Sequence, residues 1–189
     1  MAKRQRETVM MLDFTDPALG DAEQARWYAV DDGVMGGVSH SGFRVEEGHG
    51  CFYGEVSLEN GGGFASVRRE PGAFEPTLAQ AKGITLRVRG DGRRYQLRFK
   101  SHALDDASAY RVAFAPSAQQ WETLHFSWAQ FDAVRRGTLL SNAPPLEPGT
   151  VHQLGFLIAD RTAGPFQLDI ACISTYSQDS FSQGSFSQD

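Results

Sequence analysis

The stretch ITLRVRGDGRRYQLRFK, Ile84–Lys100, alternates apolar and polar residues in two runs. Ile84, Leu86 and Val88 share one phase, and Thr85, Arg87 and Arg89 the other. After Gly90-Asp91-Gly92 the alternation resumes, with Tyr95, Leu97 and Phe99 set against Gln96, Arg98 and Lys100. Successive side chains of a strand point to opposite faces, so a period of two marks a strand with one face on a core. Gly and Asp are the residues a tight reversal needs. The stretch therefore reads as a β-hairpin. Both polar phases then project from the same side, which puts Arg87, Arg89, Arg98 and Lys100 on one basic face. Like charges opposed across a hairpin are unfavourable unless something neutralises them. Acids from a neighbouring strand or plain solvation would do so, and so would an acidic protein surface, a lipid head group or RNA phosphate.

The same period continues outward. Phe52, Val56 and Leu58 share a phase, and Asn60-Gly61-Gly62-Gly63 turns the chain into a strand from Phe64 to Arg68. Further strands are expected at Tyr110–Ala115, Thr123–Trp128, Leu154–Ala159 and Phe166–Ile173. Helical periodicity is poor, with short helices expected only at Pro17–Arg26, Thr77–Ala81 and Trp128–Arg135. Many strands separated by Gly-rich turns give an all-β fold, an antiparallel β-sandwich. Ser141–Thr150 carries three of the eight prolines and reads as a loop. The end differs: Tyr176-Ser-Gln-Asp-Ser, Phe181-Ser-Gln-Gly-Ser and Phe186-Ser-Gln-Asp form a five-residue repeat. With no aliphatic residue to bury, it reads as a disordered tail. The expected organisation is an N-terminal extension at 1–11, one domain at 12–176 and a tail at 177–189.

The 189 residues suit a single domain with a sizeable core. A net charge of −5 carries no general nucleic-acid footprint. The charge is uneven, since Lys82–Arg111 holds eight basic residues against three acidic ones. Cys51 and Cys172 sit in apolar-alternating runs and read as reduced, buried thiols. The opening MAKRQRETVMML is basic, but its apolar run is too short for a signal-peptide core. No apolar run is long enough to span a membrane. A bacterial cytoplasm, with peripheral contact to the inner membrane, or an organelle matrix is the expected location.

Catalytic and metal patterns are weak. Ser39, His40, Ser41, Asp31 and Asp32 lie close in sequence, but neighbours in a strand face apart and no G-x-S-x-G elbow is present. Gly48-His49-Gly50-Cys51-Phe52-Tyr53-Gly54 has a late last glycine and leads into a strand, so no helix N-terminus awaits a phosphate. The five histidines are scattered, leaving at most an oxygen-ligated loop cation whose ligands the sequence does not fix. Arg89-Gly90-Asp91 is a turn by context. No cofactor, metal or catalytic residue is expected. Trp27, Trp121, Trp128, Tyr53 and Tyr110 are available for stacking sugars, though most serve a sandwich core.

Trp27 followed by Asp32-Gly33-Val34-Met35-Gly36-Gly37-Val38-Ser39 resembles the signature of the complex I intermediate-associated protein family. The similarity continues through Phe52-x-Gly54 and Leu58-Glu59-Asn60-Gly61-Gly62-Gly63-Phe64-Ala65-Ser66-Val67-Arg68. It extends through Leu86–Tyr95, Trp121, Phe131, Gly155-Phe156, Asp160 and Gly164-Pro165-Phe166. Gly61 stands where the family usually has Asn. The resemblance implies a galactose-binding-like jelly roll with a few short helices, similar to some carbohydrate-binding modules. It also implies an assembly factor or chaperone for respiratory complex I (NADH:ubiquinone oxidoreductase), with complex subunits or assembly intermediates as partners.

Gly-rich corners with fixed polar groups allow Asp32, Ser39, Asn60, Ser66 and Arg68 to converge. They either cross-link loops, with Asp32 capping backbone N–H groups and pairing Arg68, or line a ligand or partner cleft. Two functions follow: a non-catalytic protein-interaction module docking through Arg87, Arg89, Arg98 and Lys100, or a carbohydrate- or small-ligand-binding module built on the polar corner.

Overall fold

The computed structural model describes residues 8–72, 74 and 78–177. Two antiparallel sheets pack face to face. The first holds β1 (Thr8–Asp13), β3 (His40–Glu46), β4 (His49–Val56), β6 (Gly83–Arg89), β9 (Trp121–Ser127) and β13 (Gly164–Tyr176). Its strand order is β3-β4-β13-β6-β9, with β1 also on β13. The second holds β2 (Trp27–Ala29), β5 (Ala65–Arg69), β7 (Tyr95–Ser101), β8 (Ser108–Phe114), β10 (Asp132–Arg135), β11 (Thr138–Leu139) and β12 (Val151–Ile158), in the order β11-β10-β8-β7-β12-β5-β2.

Residues 84–100 are not a hairpin. β6 lies between β13 and β9 in one sheet, and β7 between β8 and β12 in the other. Ile84, Leu86, Val88, Tyr95, Leu97 and Phe99 are all fully buried. Alternation set the buried faces correctly, but those faces meet across the core instead of lying side by side. The connection is pinned for that crossing. Asp91 Oδ2 accepts the Tyr95 hydroxyl at 2.9 Å and the Gln167 N–H at 2.8 Å. Arg93 clasps Asp160 at 2.7 and 2.9 Å and donates to the carbonyls of Thr162, Gly164 and Pro165. A Cβ on Gly90 would lie 2.4 Å from Pro116 Cγ, so the crossing needs glycine there. The consequence for charge is direct: Arg87 and Arg89 project from the outer face of the first sheet, Arg98 and Lys100 from that of the second. The single four-residue basic face expected from the sequence is split in two.

Aromatic residues fill the space between sheets. Trp27 stacks on Phe43 with centroids 4.0 Å apart and on Phe156 at 6.1 Å. Phe52, Phe166 and Tyr95 form a second group, and Phe99, Phe131 and Trp128 a third. Cys51 is buried and Cys172 half-buried, each as a free thiol.

Helix is scarce. The α-helix α1 (Gly20–Gln24) falls within the expected Pro17–Arg26. Trp128–Gln130 makes one 3-10 turn closed by a Ser127/Gln130 capping box, and the chain then turns extended as β10 instead of continuing helically to Arg135. The helix expected at residues 77–81 falls partly outside the described residues, as does the Ser/Gln repeat almost entirely. β1 starts at Thr8, inside the segment expected to precede the domain.

Candidate functional site

The loop from β2 to β3 opens with Asp31 and Asp32, and each carboxylate ties a different set of strands. Asp32 is fully buried. Its Oδ1 accepts the Ser39 N–H at 3.0 Å, and its Oδ2 accepts the Ser39 hydroxyl at 2.6 Å and the Gly63 N–H at 2.7 Å. The Phe64 N–H adds a longer bond of 3.3 Å. Burial alone would raise the Asp32 pKa, but these donors stabilise the carboxylate more and hold it below its ordinary value. Ser39 Oγ also accepts the Ser57 N–H at 2.9 Å, which brings in the end of β4. Glycine makes the approach feasible: a Cβ on Gly37 would lie 2.4 Å from Asp32 Cγ, and one on Gly62 2.5 Å from Asp32 Oδ2.

Asp31 does the same one residue earlier. It accepts the Ser41 hydroxyl at 2.6 Å, the Ser41 N–H at 3.0 Å and the Ser66 N–H at 3.0 Å. The Ser66 hydroxyl donates to the Val30 carbonyl. Sequence reasoning left Asp31 out of the corner, although its place beside Asp32 in a loop was a usable signal.

Of the five candidates for this corner, Asp32 and Ser39 are bonded to each other and Ser66 is bonded to Asp31. Asn60 stands apart and exposed, at φ +56 in the left-handed region. The next residue, Gly61, has φ +73 and open space where a side chain would go. Gly and Asn both tolerate that backbone, so either residue fits position 61. Arg68 does not reach Asp32. It projects from the outer face of the second sheet, in register with Tyr28 on one side and Gly155 on the other. Ser39 Oγ is engaged by Asp32 and Ser57, and among the described residues no hydrogen bond joins it to His40, so no Ser-His pair forms here.

The corner displays apolar groups. Met35 is 65 % exposed, Val38 50 % and Leu58 48 %. Met35 and Val38 sit on the loop that Asp32 closes, and Leu58 packs beside Gly63, whose N–H Asp32 holds.

The two sheet faces differ in charge balance. On the first, Arg89 donates to Asp169 at 2.8 and 2.9 Å, and His49 Nε2 lies 3.5 Å from the same carboxylate. Arg89 also sits 4.8 Å over the half-exposed Trp121 ring, and Arg87 donates to Thr123 Oγ1 at 3.2 Å. Burial would raise the Asp169 pKa, but Gln167, Arg89 and His49 lower it. His49, Arg87, Arg89 and Trp121 line a shallow hollow of about 370 Å³. On the second, Arg98 faces Gly155 across β12 and Arg111 across β8. Arg68, Arg98, Lys100, Gln153 and Gly155 line a pocket of about 60 Å³. Burial foremost, then the charges of Arg111 and Arg68, pull the Arg98 pKa down to about 10. No group of three or more His, Cys, Asp or Glu side chains suited to a metal occurs among the described residues.

A family model described as Complex I intermediate-associated protein 30 (CIA30) matches residues 12–170. The Mus musculus "Complex I intermediate-associated protein 30, mitochondrial" is 25% identical over 171 residues, covering 80% of this chain and 52% of that protein. Its Neurospora crassa namesake is 27% identical over 119 residues, covering 60% of this chain and 42% of that protein. The chain thus spans about half the length of the curated relatives it matches. Among solved structures, a family 11 carbohydrate-binding module from Clostridium thermocellum, in complex with a β-1,3-1,4-mixed-linked tetrasaccharide, superposes with TM-score 0.60 at 14% identity. That match covers 89% of this chain and 94% of the module. The agarase AgWH50C matches with TM-score 0.57 at 8% identity, over 91% of this chain and 25% of the enzyme. Such low identities speak for the fold alone, a galactose-binding-like jelly roll. The family match spans most of the strands described above, and the chain belongs to the complex I intermediate-associated protein 30 family.

Proposed function

We propose that this domain is a non-catalytic protein-interaction module acting in respiratory complex I assembly, with complex subunits or assembly intermediates as partners. The observation that carries this reading is the stapled corner. The residues that resemble the family signature turn their hydrogen-bonding groups inward, Asp32 and Ser39 above all, with Asp31 beside them doing the same, while Met35, Val38 and Leu58 face outward. A rigid loop pair that presents apolar side chains suits contact with another protein, because its ordering cost is met before binding. Asp32 and Ser39 then support the surface from below. Membership of the family supports the assembly role, and the names of its Mus musculus and Neurospora crassa relatives support a mitochondrial setting. No helix among the described residues is long and apolar enough to cross a membrane.

The test is affinity capture from native lysate, scored for complex I subunits. Wild type is compared with Met35→Ser/Val38→Ser, and with two separate charge variants, Arg87→Glu and Arg98→Glu, one on each sheet. Loss of those subunits with the corner variant, the protein remaining folded, supports the reading. Equal recovery with every variant overturns the corner as the docking surface.

A second reading, carbohydrate or small-ligand binding, is favoured by Trp121. Its half-exposed ring borders the hollow shared by Arg89 and His49, which joins a stacking face to polar groups. A glycan array that is blank for wild type would count against it.

A further inference from the structure

The outer face of the second sheet carries one row of directly paired residues: Tyr28, Arg68, Gly155, Arg98, Arg111 and Asp132. Residues paired across strands share a face, so three arginines of this row project together. Lys100, two residues along β7 from Arg98, points the same way and pairs in register with Gln153. Among the described residues none of Arg68, Arg98, Lys100 and Arg111 forms an ion pair. Arg98 donates only to the neutral Gln96 at 3.0 Å, and Lys100 to the carbonyls of Asp106 and Ser108. Five other arginines sit against carboxylates: Arg69 with Glu23, Arg89 with Asp169, Arg93 with Asp160, Arg44 with Glu46 and Arg135 with Asp105. In a chain of net charge −5, four cations share this face; Asp132 lies in register beside Arg111 and Asp105 and Asp106 lie near Lys100, but among the described residues none of these carboxylates closes an ion pair with the four.

The groove has a shape as well as a charge. Gly155 lies between Arg68 and Arg98, and a Cβ there would fall 2.4 Å from the Val67 carbonyl. The strands approach too closely for a side chain, which leaves a gap flanked by guanidinium groups. Gln153 is held rigidly at its edge, donating to the Tyr28 hydroxyl and the Arg69 carbonyl, both at 2.8 Å. A guanidinium fork grips two oxygens at once. A planar carboxylate satisfies one fork. A tetrahedral phosphate presents oxygens in several directions and bridges forks on both sides of Gly155. The free volume of about 60 Å³ suits one phosphoryl group. Of the exposed large apolar side chains among the described residues, only Tyr28 belongs to this row, so the row offers little to a bilayer.

We propose that the groove over Gly155 is a binding site for the phosphate group of a small soluble ligand, a phosphate monoester or diphosphate, gripped by Arg68 and Arg98 with Lys100 and Arg111 adding charge. Ser66, which Asp31 holds, borders the groove, but none of the four cations belongs to the stapled corner.

The probes are pyrophosphate, glycerol 3-phosphate and glycerol, titrated by NMR and calorimetry into wild type, Arg98→Gln, Arg68→Gln and the opposite-sheet control Arg87→Gln. The expected result is pyrophosphate and glycerol 3-phosphate binding with amide shifts confined to β5, β12, β7 and β8, and none with glycerol. Affinity should fall roughly tenfold in either groove variant and stay unchanged in the control, as charge-assisted forks predict. Pyrophosphate should also raise the melting temperature of wild type more than that of Arg68→Gln, which keeps a readout if Arg98→Gln folds poorly. Overturning results are equal affinity in all variants, shifts on the other sheet, or no response to either phosphate. Binding only to phosphatidic acid vesicles, only to an acidic peptide, or only to a neutral oligosaccharide would also overturn it.

Discussion

The Asp32 carboxylate accepts the Gly63 N–H at 2.7 Å, joining two loops 31 residues apart in sequence. With the Ser39 groups and the Phe64 N–H on the same carboxylate, one fully buried side chain fixes the end of the sandwich. Asp32→Asn keeps the size but loses the charge, and its NH2 group meets donors where an acceptor is needed. Hydrogen bonds to a charged group contribute about 1.5–3 kcal/mol, so a loss of about 3 kcal/mol is expected by urea denaturation.

The same carboxylate sets an acid limit. Its folded pKa lies below the ordinary value of an aspartate, so the stabilisation is complete above that ordinary value and is lost as pH falls through the lower folded value. Asp160 and Asp169 are lowered too, and add to the loss in the same range. Stability measured from pH 5 to about pH 2 should fall steeply in wild type. The slope should be shallower in Asp32→Asn, which has one fewer carboxylate to protonate.

Glycine positions around the corner should divide sharply. Gly37→Ala places a methyl group 2.4 Å from Asp32 Cγ, whereas Gly33→Ala meets nothing within 4 Å. Overpacking of this kind costs about 1–3 kcal/mol. Thermal melts should show Gly37→Ala well below wild type and Gly33→Ala close to it.

Arg111→Gln should stabilise the protein. It removes a like charge directly opposite Arg98, and although Asp132 lies in register on the other side of Arg111 the two form no ion pair among the described residues. The gain should be largest at low ionic strength and shrink as salt screens the pair. A melting temperature that falls equally at every salt concentration would contradict this account.

Cys51 should be inert in the folded state. Burial, followed by the nearby Asp169 charge, pushes its thiol up to about 12, and burial raises Cys172 as well. Thiol titration at pH 8 should label neither until denaturant is added.

The strand faces were legible because the pleat writes burial into every second residue: Ile84, Leu86, Val88, Tyr95, Leu97 and Phe99 were all assigned to the core. The pairing was not, since alternation states which face a strand buries and says nothing of its neighbours. A Gly-Asp-Gly turn serves a hairpin or a crossing between sheets, and only long-range partners such as Asp160 for Arg93 and Gln167 for Asp91 decide. Trp128–Arg135 misled for a related reason, as a capping box that starts a helix also closes a single turn. At the corner, Asp32 and Ser39 were legible from their spacing in a Gly-rich loop. Arg68 was misplaced because it lies just two residues beyond Ser66 yet belongs to the sheet face. Arg111, Gln153 and Gly155 join that face through strand register, which a lone sequence does not display.

β13 carries one further consequence. The last strand among the described residues, it lies at the centre of the first sheet, with β4 and β1 on one side and β6 on the other. During synthesis β1, β4 and β6 leave the ribosome long before the strand that joins them. β6 has no hairpin partner in β7 to hold it meanwhile. Non-local pairing of this kind folds slowly and leaves apolar strand faces open in the interval. Until β13 has emerged, the edges of β1, β4 and β6 that it joins stay unpaired, and a chain cut before β13 cannot close its first sheet.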